Sequence, residues 1–189
     1  MELLNKITRI FSPELESRKI QRDWLDRRRF LLGDLHNHCG ISYGHGTLAD
    51  AIGFAHQQLD FFSVTGHFAW PDMTDSNGVG VPAQVAAYHK EGFARLREGW
   101  EWYRRQMTES DTQPNTSIAF LSYEFHSFSK GDYTVIVKDP KAELPAEPDQ
   151  NQSDVRLDRL LTTCDSSRDG IICMPHHIGY KEGFRGIAW

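Results

Sequence analysis

The side chains best suited to chemistry here are imidazoles and carboxylates that recur where apolar runs end. Phe30-Leu31-Leu32 leads into Gly33-Asp34-Leu35-His36-Asn37-His38, and Phe61-Phe62-Ser63-Val64-Thr65-Gly66 into His67. Leu121-Ser122-Tyr123 delivers Glu124 and then His126, and Ile171-Ile172-Cys173-Met174-Pro175 delivers His176 and His177. Neutral imidazole nitrogen is a good ligand for divalent Zn or Fe, and a carboxylate can bridge two ions while lowering the charge of the cluster. His45 follows His38 by seven residues across Gly40 and Gly44, so a loop could fold it back over the same place. The pattern points to a site for divalent metal ions.

Such a site needs elements that bring those ends together. Alternation with a period of two predicts a strand from Phe30 to His38, which turns His36 and His38 to one side with Asp34 in line. Thr47-Leu48-Ala49-Asp50 reads as a capping box opening a helix whose face is Leu48, Ala51, Ile52, Ala55 and Leu59, followed at once by a strand over Phe61–Thr65. Strand, helix, strand in this order is a βαβ unit with parallel strands, which puts His36, His38 and His67 on the same edge of a sheet.

Further along, Pro82 opens a long helix carrying Val85, Tyr88, Phe93, Leu96, Trp100, Tyr103 and Met107 at helical spacing. Strands are predicted over Ser117–Phe125, Gly131–Val137 and Gly170–Met174, and a helix is capped by Ser153. Residues Lys138–Ser153, with three prolines, read as a surface excursion. Residues 1–29 read as an N-terminal helical leader, and 30–189 as the metal-binding domain.

The phrases Gly33-Asp34-Leu35-His36-Asn37-His38, Leu59-Asp60-Phe61-Phe62, Val64-Thr65-Gly66-His67, Tyr123-Glu124 and His177-Ile178-Gly179 resemble those of the PHP (polymerase and histidinol phosphatase) superfamily of metal-dependent phosphoesterases. The resemblance implies an α/β fold, a distorted (β/α)7 PHP-type barrel, with two or three divalent ions (Zn, Mn or Fe) at its mouth. It implies that His36 and His38 hold one metal, that Glu124 bridges, that His177 holds a second, and that His45 and His67 hold a third. His126, Asp132 and His176 are further possible ligands, and Asp34 would accept a hydrogen bond from a ligating imidazole. Lys130, Lys181 and Arg185 are candidates for holding substrate phosphate. A metal-activated water would attack a small phosphorylated or other ester substrate.

The chain departs from the pattern at Gly66, where relatives carry Asp, and at Asp132, where many supply His. It also ends at Gly186-Ile187-Ala188-Trp189 before the family's last Asp-x-His motif, so the barrel is expected to be incomplete at its C-terminus. Two alternatives stand beside the phosphoesterase: an amidohydrolase-type metal hydrolase, and a non-catalytic module that binds metal or a partner.

A net charge of −5 argues against a broad nucleic-acid surface, and 39% hydrophobic with 25% charged residues is ordinary for a chain of 189 residues with a real core. Neither a secretory signal nor a membrane-length apolar run is present, which leads to a cytoplasmic expectation. Cys39, Cys164 and Cys173, without CxxC spacing, are expected to be reduced thiols.

Overall fold

The structure is a computed structural model, and it describes residues 30–73, 80–112, 117–127, 131–145 and 170–176. The chain divides into two compact units, Met1–Leu31 and Leu32–Trp189, and all the elements below belong to the second. The leader, the helix capped by Ser153 and the second half of the excursion before it lie outside the described residues.

In order, the elements are β1 (Gly33–Asp34), α1 (Leu48–Gln58), β2 (Phe61–Ser63), β3 (Gly66–Ala69), α2 (Ala83–Asp111), β4 (Ile118–Phe125), β5 (Asp132–Val137) and β6 (Ile171–His176). The βαβ reading is correct for β1, α1 and β2, since β1 and β2 pair in parallel. Thr47 is the N-cap of α1, its side chain accepting from Asp50 N at 3.1 Å. Strand β4 then pairs in parallel with both β2 and β3.

From there the topology changes. Strand β5 runs antiparallel to β4, and β6 antiparallel to β5, so the six strands make one mixed sheet in the order β1-β2-β4-β5-β6 with β3 also on β4. This overturns the (β/α)7 barrel: among the described residues there are two helices, and six residues separate β4 from β5. A parallel crossover needs a dozen residues or more, so so short a link permits only an antiparallel return. The broader class, mixed α/β, stands.

The first strand is also shorter than predicted. It ends at Asp34, whose Oδ1 accepts from His36 N at 3.0 Å, a turn that the aspartate side chain stabilises in place of a ladder. Residues 35–38 are then tied to the β2–β3 region one bond at a time: Ser63 Oγ donates to Leu35 O at 2.8 Å, Asn37 Nδ2 to Ser63 O at 3.2 Å, and Thr65 N to Asn37 O at 2.7 Å. At the other end Asp60 fastens three elements, accepting from Leu32 N and receiving Ile118 N on its carbonyl, both at 2.9 Å.

Helix α2 covers β3 and β4. It buries Phe93, Leu96, Trp100, Tyr103 and Met107, whose steps of three and four residues keep one stripe inward, while Val85 and Tyr88 near its start are exposed rather than part of the core. Tyr103 is fully enclosed and donates to Val64 O at 2.5 Å, where β2 gives way to β3, and burial pushes its hydroxyl pKa up. Cys39 joins the main core and burial raises its thiol pKa. Cys173 is half-buried and disulfide-bonded, not the reduced thiol expected from spacing.

Candidate metal centre

Strand register explains why the chemistry gathers on one face. His67 of β3 is the partner of Glu124 in β4, and Glu124 is in turn the partner of Thr134 in β5. Because side chains alternate, Asp132 shares a face with Thr134, and His126 follows Glu124 by two residues. Asp132 is the partner of His176 in β6, which brings that imidazole into the same row.

Glu124, 1% exposed, is the hub. Its Oε1 meets His176 Nε2 at 2.7 Å and His126 Nε2 at 3.5 Å, and its Oε2 meets His67 Nε2 at 2.9 Å, His38 Nε2 at 3.4 Å and His36 Nε2 at 3.9 Å. His36 and His38 place their Nε2 atoms 3.1 Å apart. Three overlapping groups, His36/Glu124/His176, His38/His67/Glu124 and Glu124/His126/Asp132, each have their ligand atoms within 4.8 Å of one another and could hold a metal ion.

The distances discriminate between a hydrogen-bond network and a cation cage. Four ligands about 2.1 Å from a tetrahedral ion lie about 3.4 Å from one another, and the His36, His38 and Glu124 atoms, at 3.1, 3.4 and 3.9 Å, bracket that spacing. Glu124 Oε2 is buried, yet none of these contacts gives it a properly aligned hydrogen bond. A divalent cation satisfies that oxygen and the converging imidazole nitrogens together, so the residues present fit the group.

The second ring nitrogens are held by polar side chains that fix each imidazole's direction. His36 Nδ1 lies 2.7 Å from Thr134 Oγ1 and 3.3 Å from Thr65 Oγ1, His67 Nδ1 lies 3.1 Å from Ser42 Oγ, and His126 Nδ1 lies 3.2 Å from Asp132 Oδ1. Ser42 also accepts from His67 N at 3.1 Å, and its own carbonyl is bound by Arg95. Tyr43 stacks on His67 with ring centroids 3.6 Å apart and reaches His126 Nε2 with its hydroxyl at 3.2 Å. Trp70 stacks on the far side of the group, 5.3 Å from His126.

Burial is graded across the centre. The side chains of His36 and His38 are 33% and 31% exposed, whereas those of His67 and His126 are 7% and 3%. Burial pushes the His67 pKa down to about 4, against the close carboxylate of Glu124, and also lowers that of His38. Burial alone would raise the Glu124 pKa, but the charge of His126, the hydrogen bond of His176 and the close imidazole of His67 hold it well below the usual carboxylate range. At neutral pH the centre therefore presents an ionised carboxylate and neutral His67, which is the protonation state that metal ligation requires.

Of the residues expected at the site, the fold brings His36, His38, His67, Glu124, His126, Asp132 and His176 together. His45 is exposed and belongs to none of the three groups, the glycine-rich loop carrying it to a cavity wall beside α1 instead. Asp34 contacts a backbone amide and not a ligating ring; the imidazole of His36 is anchored by Thr134 and Thr65. His176, at the end of β6, occupies the position expected for His177, which lies outside the described residues together with Lys130, Lys181 and Arg185. Ser42, Tyr43, Thr65, Trp70 and Thr134 had escaped attention. The Thr65-Gly66-His67 run could have suggested Thr65, but nothing local marks Tyr43 or Thr134.

At Gly66 an added Cβ would come 2.6 Å from Leu96 Cδ1 and 3.1 Å from Ile41 Cδ1, so a side chain there meets the packing of α2. No protein-family model matches the chain, and comparison with curated proteins found no match.

Proposed function

We propose that this domain is a metal-dependent hydrolase of the PHP type, a phosphoesterase acting on small phosphorylated substrates. The observation that carries the reading is the single buried carboxylate of Glu124 shared by ligand groups that run from the closed His67 side to the open His36 and His38 side. Closed ligands retain ions, and a solvent-reaching pair admits water and an ester.

The residues of the three groups would hold divalent Zn, Mn or Fe, which when bound would supply Lewis acidity toward water and phosphoryl oxygens. The chain's own residues do the rest. Glu124 holds negative charge between the ligand groups, Thr134 and Ser42 fix the rings of His36 and His67, and Tyr43 and Trp70 exclude water from the closed side. No helix among the described residues is long and apolar enough to cross a membrane; we place the protein in the cytoplasm.

Turnover of p-nitrophenyl phosphate with added Mn or Zn, in wild type and in His36→Ala and Glu124→Gln, tests the proposal. Metal-dependent turnover abolished in both variants supports it. Tight metal binding without turnover rejects the hydrolase and leaves a metal-binding module.

A further inference from the structure

Beside the metal centre, and separate from it, the loop 34–46, helix α1 and strand β2 enclose a cavity of about 450 Å³, within the range of about 300–1,000 Å³ typical of small-molecule sites. His38 is common to both: it lines the cavity and belongs to one of the three ligand groups. Anything bonded to a group lying over His36 and His38 therefore has this space as its neighbour.

The lining says what chemistry fits. The inner wall is apolar, made by Ala51 and Ala55 on one turn of α1 and by Phe62 and Val64 at β2, with Phe54 standing 63% exposed at the edge. Among the described residues, Asp34 and Asp50 are the carboxylates on the lining, His38 and His45 also line it, and no lysine or arginine does. Asp50 is retained there by its bonds to the Thr47 cap, at 2.6 Å through its carboxylate, and Asp34 by its bond to His36 N. A second phosphate or a carboxylate would meet two exposed carboxylates with no lysine or arginine beside them among the described residues, which is unfavourable. An apolar group would cover Phe54 and the half-buried Ala51 and Leu59, over a floor of buried Phe62 and Val64, and leave the acids in water.

We propose that this cavity is the leaving-group subsite of the phosphoesterase, and that it selects monoesters whose alcohol part is apolar and carries no negative charge. The proposal rests on the phosphoesterase reading. It makes sugar bisphosphates, nucleoside polyphosphates and nucleic acid poor substrates, because each would place further anionic groups against Asp34 and Asp50.

Phosphonates test it without turnover. Zinc-loaded protein is titrated calorimetrically with phenylphosphonate, 4-carboxyphenylphosphonate and methylphosphonate, in wild type and in Ala51→Trp, which fills the cavity from a half-buried position on α1. The zinc content of both proteins is measured alongside. The phenyl compound should bind at least about ten-fold tighter than the methyl one, from the apolar area it buries, and the carboxylate should erase that gain. Ala51→Trp should remove the phenyl advantage while leaving methylphosphonate affinity and zinc content unchanged.

Equal affinity for phenyl and methyl compounds, or an equal loss for both in Ala51→Trp, overturns the subsite. Benzyl alcohol, followed by NMR shifts at Ala51 and Ala55, separates the two failures. Shifts at those residues without any phosphonate binding retain an apolar subsite and overturn the phosphoesterase; the absence of such shifts overturns the subsite itself.

Discussion

His67 and Glu124 are register partners on neighbouring parallel strands, and their side chains meet at 2.9 Å although both are buried. The β3–β4 ladder thus sets the distance between a closed-side ligand and the shared carboxylate, and Ser42 and Tyr43 brace the imidazole from behind. Perturbing the braces or the packing beneath this pair should change metal affinity in ways that differ from a general loss of stability.

The hydroxyl of Tyr43 is the first such brace. Tyr43→Phe keeps the ring stacked on His67 but removes the contact to His126 Nε2. Stability should fall by about 1 kcal/mol, while zinc affinity, read by competition with a chelator, should weaken about 10- to 100-fold. An unchanged affinity would show that the hydroxyl does not position the centre.

Thr134→Val keeps the shape of the side chain at the row of Glu124 but removes the 2.7 Å partner of His36 Nδ1. Zinc affinity should fall by roughly ten-fold or more, with far-ultraviolet circular dichroism unchanged. Full affinity in the variant would mean that Thr65 suffices to orient His36.

Packing beneath the pair is tested at Gly66. Gly66→Asp drives a Cβ against Leu96 and Ile41 and should cost about 1–3 kcal/mol in urea unfolding. Leu96→Ala alone should cost about 2–5 kcal/mol, yet adding it to Gly66→Asp should cost less than the sum, because it removes the clash. Strict additivity would contradict a steric cause.

Acid should destabilise the metal-free fold in a defined window. The His67 pKa is pushed from 6.5 to about 4 in the folded chain, so between those values the unfolded chain binds more protons and stability falls as pH drops. The contribution is fully present above about pH 6.5. His38 and Glu124, also lowered, act in the same direction, Glu124 at lower pH. Urea midpoints of chelator-treated protein measured from pH 7.5 to 4.5 should decline; a flat profile contradicts burial of neutral His67.

The ligands were legible because apolar runs lead into them: His36, His38, His67 and Glu124 each follow one, although β1 stops at Asp34 and His67 lies inside β3, and within a strand local alternation marks which residues share a side. Alternation does not reveal which strand is a partner or in which direction it runs. The six-residue link before Asp132 was readable as short, but the barrel expected from the resemblance overrode it, and the antiparallel β5 and β6 were missed. The braces were hidden for a related reason. Thr134 reaches His36 across 98 residues and Tyr43 reaches His126 across 83, contacts that only register and helix packing create.

Glu124 is common to all three ligand groups, so metal content is the most direct test of the centre. Protein stripped with chelator, reloaded with zinc, desalted and analysed by elemental mass spectrometry should retain at least two ions per chain in wild type and lose them in Glu124→Gln. Wild-type protein with no zinc above background, or a Glu124→Gln variant that retains the same number of ions, would contradict the account.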